Sequence, residues 1–239
     1  MNKKIAILIS MLLVMCFTLS GCKEKNKKEE SVTPSNSAAS PVVYGDTKEF
    51  KLDYLVLVNK QNELPDGWEE KVELVTVKDA YGDDMQVEKV ALQKYNELRE
   101  DLLKNDGVDI ELDSSYRSVK EQQEIWDRFT EEYGIDYVKK YVAVPGFSEH
   151  HTGLAIDICI IKDGKLIFEN DEMIEEKEIF AKVHKKLADY GFILRYLEGK
   201  DDITGYAYEP WHLRYINSVD IAKEIMSKGI TLEEYLDKK

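Results

Sequence analysis

Four histidines occur in the 239 residues, and three of them fall in two short segments. One runs Pro145-Gly146-Phe147-Ser148-Glu149-His150-His151-Thr152-Gly153-Leu154-Ala155-Ile156-Asp157-Ile158. The other runs Tyr206-Ala207-Tyr208-Glu209-Pro210-Trp211-His212-Leu213-Arg214-Tyr215. Imidazoles and carboxylates are ligands for divalent metals and carriers of protons. Read as a strand after Gly153, Leu154, Ile156, Ile158 and Ile160 share one apolar face, and Ala155, Asp157 and Cys159 share the other. Asp157 thus points away from the core between two small neighbours. An acid in so apolar a strand needs a partner, because an unpaired buried charge is costly. A metal ion would supply one. In the second segment Trp211, Leu213 and Tyr215 alternate with His212 and Arg214, so His212 also leaves the core face. Glu209 falls on the opposite face of a straight strand from His212. Pro210, lacking an N–H and restricting its predecessor, marks a bend there, and periodicity leaves the direction of Glu209 open.

These side chains need elements to hold them. Residues 54–58, Tyr-Leu-Val-Leu-Val, read as a short buried strand, and 73–77 as a weaker one. From 85 to 103 the apolar residues Val87, Val90, Ala91, Tyr95, Leu98 and Leu102 recur at helical spacing, and Asn105-Asp106-Gly107 ends the helix. Residues 108–112 read as a strand. Ser118 and Glu121 form a capping-box pattern opening a helix that stops at Gly134. A further helix is predicted over 172–190, with Gly191 as its stop. Strands follow at 192–196 and 212–216, then short helices at 219–226 and 231–236. Without regular strand–helix alternation, the expected class is α+β. His184, mid-helix and without a partner motif, reads as a satisfied surface or core residue. His151 reads as a neighbour of the site or as exposed, and Cys159 as a small core or wall residue.

The formal net charge of -14 speaks against nucleic acid as a partner, because phosphate binding needs clustered Lys and Arg. Hydrophobic residues at 43% suffice for a packed core. Of the three cysteines, Cys16 and Cys22 lie at the N-terminus and only Cys159 in the body, so an internal disulfide framework is excluded. Residues 1–4 are basic and 5–19 mostly apolar, shorter than the ~20 residues a membrane-spanning helix needs. This is a secretory signal pattern. It ends in Leu19-Ser20-Gly21-Cys22, which resembles the lipobox of bacterial lipoproteins. That resemblance implies a signal peptide over 1–21, lipidation of Cys22 and attachment to the outer face of the bacterial cell membrane. Residues 23–41 are rich in Lys, Glu, Ser, Asn and Pro and read as a disordered tether, so that 22–41 link the lipid to a domain over 42–239.

The pieces Ser-Tyr-Arg-Ser (115–118), Ser-Glu-His-His-Thr-Gly-Leu-Ala-Ile-Asp (148–157) and Glu-Pro-Trp-His (209–212) resemble the M15 zinc metallopeptidases. Within them the likeness is to the VanY-like D-alanyl-D-alanine carboxypeptidase group, which has L,D-carboxypeptidase relatives. Gly191-Phe192-Ile193-Leu194-Arg195-Tyr196 and Asp202-Ile203-Thr204-Gly205-Tyr206 are similar to that group too, and the likeness spans about 54–216. It implies a small, mainly antiparallel sheet with flanking helices, the hedgehog/D-Ala-D-Ala peptidase-like fold. It also implies Zn²⁺ held by His150, Asp157 and His212, with Glu209 as catalytic base. Arg117 matches the arginine that stabilises the oxyanion or grips substrate, and Gln122 and Ser148 match positions lining the substrate cleft. Leu197 stands where many relatives have proline. His151 adjoins the ligand position, and the Ser-x-His register favours His150 as the metal-binding imidazole.

The implied activity is removal of the terminal D-alanine from peptidoglycan stem peptides by metal-activated water. Cleavage of a D-Ala-D-Ala bond and L,D-carboxypeptidase cleavage of a tetrapeptide stem share this chemistry, and the sequence leaves the two open. A non-enzymatic solute-binding lipoprotein, or a zinc-stabilised inactive wall-binding module, would share the signal and the acidic domain.

Overall fold

The structure, a computed structural model, describes residues 52–237. The signal pattern, Cys22, the 22–41 tether and the expected domain start at 42 lie outside the described residues.

Two sheets carry the fold. Strands β1 (Leu74–Lys78) and β2 (Asp84–Glu88) form an antiparallel hairpin. The larger sheet has the order β3-β4-β7-β6, from β3 (Asp109–Ser114), β4 (Ala155–Lys162), β6 (Phe192–Leu194) and β7 (His212–Tyr215). Short β5 (Lys165–Ile167) folds back on the far end of β4. All pairings are antiparallel. The helices are α1 (Lys89–Asp101), α2 (Val119–Tyr133), α3 (Ile135–Tyr141), α4 (Asn170–Glu175), α5 (Lys177–Leu187), α6 (Asp201–Thr204), α7 (Val219–Lys228) and α8 (Leu232–Leu236). The architecture is α+β, with antiparallel sheets and flanking helices.

The period-two alternation of β4 decides how the core forms. Leu154, Ile156, Ile158 and Ile160 are buried against Tyr95 and Leu98 of α1 and Phe180, Val183 and Leu187 of α5. A second cluster joins Ile193 and Ile216 to Ala222 and Ile225 of α7 and Leu232 and Tyr235 of α8. Ser118 caps α2 through a complete capping box with Glu121.

Three expected elements differ. Residues 54–58 enter no ladder. Val56 and Val58 are buried, but the carbonyls of Tyr54 and Val56 accept from the Arg214 guanidinium, so a side chain satisfies backbone that a neighbouring strand would otherwise serve. The helix expected from 85 begins only at Lys89. Residues Asp84–Glu88 pair with β1 instead, and the Glu88 carboxylate accepts from the Ala91 N–H as the N-cap of α1. The helix expected over 172–190 is broken at Glu176, whose ψ of 43° leaves helical geometry and whose carboxylate accepts from Lys162 of β4. Elements α3, α6 and β5 had no periodic signal.

Candidate metal centre and cleft

Register brings the site together. Asp157 of β4 is the direct cross-strand partner of His212 at the start of β7, and both leave the core face. His150 comes from a 3-10 turn over Glu149–Thr152 that closes into β4 through Gly153. Gly153 has φ +71°, and a Cβ there would lie 2.9 Å from the Leu74 side chain, so the approach of the β1-β2 hairpin demands glycine. Trp68 fixes the same turn by donating its indole N–H to the Thr152 carbonyl at 3.1 Å.

The donor atoms converge. His150 Nδ1 donates to the Ser115 carbonyl at 2.7 Å, which leaves the Nε2 lone pair facing Asp157 Oδ2 at 3.2 Å. His212 Nε2 donates to Glu149 Oε2 at 3.1 Å, which leaves the Nδ1 lone pair facing Asp157 Oδ1 at 3.0 Å. Asp157 Oδ1 is buried and receives no hydrogen bond, as expected where two lone pairs aim at one point. The ligand atoms of all three residues lie within 4.8 Å of one another. The two short separations compare with the ~3.3 Å expected between neighbouring N and O ligands of a four-coordinate zinc. The donor set fits Zn²⁺, which when bound acts as a Lewis acid and lowers the pKa of a bound water toward ~7. In the metal-free protein burial works against the His212 imidazolium, but Asp157 and Glu149 outweigh it and push the ring up to about 10.

Both nitrogens of His151 are committed elsewhere. Its Nδ1 donates to the Arg117 carbonyl at 2.6 Å and its Nε2 accepts from the Gly146 N–H at 3.0 Å, so it is buried beside the site and is no ligand. Arg117 donates through Nη1 to Gln122 Oε1 at 2.8 Å and through Nη2 to Ser114 Oγ at 3.3 Å. Gln122 in turn donates to the Ala143 carbonyl. Arg117, Gln122 and buried Ser148 line, with the metal-site residues and Glu209, a cleft of ≈ 400 Å³. The bend at Pro210 resolves the direction of Glu209. His212 N–H donates to the Glu209 carbonyl, closing a turn that brings Glu209 Oε2 to 3.6 Å from His212 Nδ1. Burial, against the pull of His212 and aided by Asp157 and Glu149, raises the Glu209 carboxyl to about 7.

Sequence reasoning assigned no role to the network behind His212. Glu149 is fully buried and accepts from Arg195 Nε at 2.7 Å, Arg214 Nη1 at 2.6 Å and His212 Nε2. Arg195 also pairs with Glu233, which accepts from Asn59. Despite burial, the two guanidiniums hold the Glu149 carboxyl far below its usual range. Arg214 carried a signal: it shares the non-core face with His212 in an apolar strand and so demands a buried anion. His184 is a satisfied, part-buried residue, as expected: its Nε2 donates to the Pro210 carbonyl at 2.9 Å and steadies the turn bearing Glu209. Cys159 is buried, and burial raises its thiol to about 12, which suits a wall and not a nucleophile.

A family model described as VanY, D-alanyl-D-alanine carboxypeptidase, matches residues 84–218. The chain belongs to that family. It is 43% identical over 131 residues to the bifunctional D-Ala-D-Ala dipeptidase and D-Ala-D-Ala carboxypeptidase VanXYC of Enterococcus gallinarum, covering 54% of this chain and 67% of the relative. The fold is similar to that of the LD-carboxypeptidase LdcB, with TM-score 0.68 and 38% identity over 77% of this chain and 86% of the other. It is similar also to a variant of the vancomycin resistance D,D-pentapeptidase VanY in complex with Zn(II), with TM-score 0.63 and 33% identity over 77% and 98% of the two chains. As a VanY-family member this chain is a zinc carboxypeptidase.

Proposed function

We propose that this protein removes the terminal D-alanine of peptidoglycan stem peptides by cutting a D-Ala-D-Ala bond, with His150, Asp157 and His212 holding Zn²⁺. The observation that carries the proposal is Glu209 turned beside a converging His–Asp–His donor set at the floor of a peptide-sized cleft. Glu209 takes the proton of the attacking water and returns it to the leaving amine; its buried carboxyl is suited to accept a proton near neutrality. Arg117, held by Gln122 and Ser114 and by the grip of His151 on its carbonyl, faces the charge developing on the scissile carbonyl oxygen. Likeness to LdcB supports a second reading, cleavage of the L,D bond of tetrapeptide stems by the same groups.

The test is D-alanine release from purified pentapeptide and tetrapeptide stems, before and after chelation. Glu209→Ala should keep zinc and lose at least ~100-fold in kcat, the lower end of general acid–base contributions. Near-normal hydrolysis by that variant would overturn the assignment, and release from the tetrapeptide alone would favour the L,D reading. We infer further that Cys22 is lipidated and holds the domain at the outer face of the cell membrane, on the pattern Leu19-Ser20-Gly21-Cys22. Cys22→Ser should then shift the protein from the membrane fraction to the medium.

A further inference from the structure

Helix α8 reaches toward the metal centre through a charge that its own docking does not need. The helix is anchored by Leu232 and Tyr235, both buried in one cluster with Ile193, Ile216 and Ile225. Its start is closed by a capping box between Thr231 and Glu234. Glu233 instead carries its carboxylate into the interior, where it is 8% exposed. A buried ion pair adds little net stability, because desolvation offsets much of the attraction. A buried acid on a helix already held by apolar contacts therefore points to a role in geometry.

That geometry is a fork. Both Glu233 oxygens accept from fully buried Arg195, Oε2 from Nη1 at 2.9 Å and Oε1 from Nη2 at 2.7 Å. A bidentate pair fixes the plane of a guanidinium as well as its position. Arg195 Nε is thereby aimed at Glu149 Oε1, 2.7 Å away. Arg214 Nη1 meets the same oxygen, while its Nε and Nη2 are taken by the carbonyls of Tyr215, Tyr54 and Val56. Glu149 Oε2 is left to His212 Nε2. Glu233 is itself held, because Asn59 Nδ2 donates to its Oε1 at 3.0 Å. Asn59 Oδ1 accepts from the N–H groups of Gln61 and Asn62 and from Asn62 Nδ2, which fixes the way that amide faces.

Two guanidiniums and two carboxylates balance in this interior. Neutralising Glu233 leaves Arg195 buried with one carboxylate in place of two. Glu149 is the partner already in contact, and Arg195 regains a bidentate pair by closing on both of its oxygens. Oε2 is then taken from His212, and the ring loses the bond that fixes its Nε2 proton and aims Nδ1 at Asp157.

We propose that Glu233 is a positioning residue for His212: by occupying the Arg195 fork it reserves Glu149 Oε2 for the imidazole, and so sets the metal affinity of the centre from outside the cleft. This rests on His150, Asp157 and His212 being the zinc ligands, as in the reading above.

Competition against a chromophoric chelator reads zinc affinity, and the d–d absorption of the Co²⁺-loaded protein reads ligand geometry, both on folded protein well below its Tm. Glu233→Gln should bind zinc about tenfold more weakly, the lower end for groups that orient a metal ligand, and its cobalt band should change. Ile225→Ala opens a cavity in the apolar cluster that anchors α8. It should lower Tm yet leave zinc affinity within about twofold of wild type, as for an independent site, with the cobalt band unchanged. Wild-type affinity and spectrum in Glu233→Gln, or an equal loss of affinity in Ile225→Ala, would overturn the assignment. Should the glutamine variant not fold, Glu233→Asp, whose shorter arm draws the charge back from the fork, is read in the same way. Zinc binding by the wild type without D-alanine release from either stem overturns the carboxypeptidase reading and leaves this inference to the affinities. D-alanine release with unchanged affinity in Glu233→Gln overturns only the inference.

Discussion

Replacing Glu149 by glutamine is the sharpest test of how the metal centre is held. The side chain keeps its shape but loses the charge that two buried guanidiniums and one imidazole share, at contacts of 2.7, 2.6 and 3.1 Å. At an effective dielectric of ~20, each unit-charge pair some ~4 Å apart is worth roughly 4 kcal/mol before desolvation. Breaking a buried pair by neutralising one partner costs about 3–5 kcal/mol net, since the other charge stays buried. The amide also turns an N–H toward a donor, whichever way it is oriented. For a domain of this size about 2–4 °C of Tm accompanies each kcal/mol, so the metal-free variant should melt roughly 6–20 °C below wild type. The His212 ring loses the carboxylate that fixes its tautomer, and zinc affinity should fall about 10–100-fold. Thermal melts with and without zinc, together with a competition titration against a chromophoric chelator, read both effects. A Tm within ~2 °C of wild type together with unchanged zinc affinity would refute both the charge reasoning and the orienting role.

His184→Leu should strand the buried Pro210 carbonyl, cost about 1–3 kcal/mol, and lower kcat more than it raises KM as the Glu209 turn loosens. His184→Gln, which restores a donor, should recover part of kcat. Lys186 pairs with Asp101 and holds its carboxyl down to about 2. A depressed carboxyl stabilises the fold fully above its unfolded value of ~3.9 and loses that contribution as pH falls through the folded value. The Tm gap between wild type and Asp101→Asn should therefore be present at pH 6 and close between about pH 4 and pH 2.

What was legible in the sequence followed from period and stereochemistry. The β4 alternation separates Ile156 and Ile158 from Asp157, and the Ser118–Glu121 pair marks the start of α2 because a capping box is a local device. Segments decided by distant partners were harder to read. Residues 54–58 have the composition of a strand, but the chain spends their carbonyls on Arg214, which is 160 residues from Tyr54. Val87 fits helical spacing and an alternating strand equally well, and only the β1 hairpin decides between them. Within the site, the first and second motifs name the donors, yet tautomers cannot be read from letters. His150 and His151 differ in what each ring meets: His150 the Ser115 carbonyl and the Asp157 carboxylate, His151 the Arg117 carbonyl and the Gly146 N–H. The Glu149–Arg195–Arg214 cluster joins three distant stretches of chain and emerges only once β6 and β7 lie side by side.

The direct pairing of Asp157 with His212 also bears on how such an enzyme can diversify. Two candidate ligands sit opposite each other at the centre of a sheet, where a slip of one residue would send a side chain to the wrong face. The loops joining β5, α4 and α6 to the rest of the chain between them can lengthen, shorten or change composition without moving either residue, provided that the β4-β7 and β6-β7 pairings, the core face of α5 and Arg195 are kept. Phe168, Met173 and Tyr206, which frame the cleft, come from or border those loops. Reactivity is thereby inherited with the ladder, while the choice of peptide is left to segments free to drift.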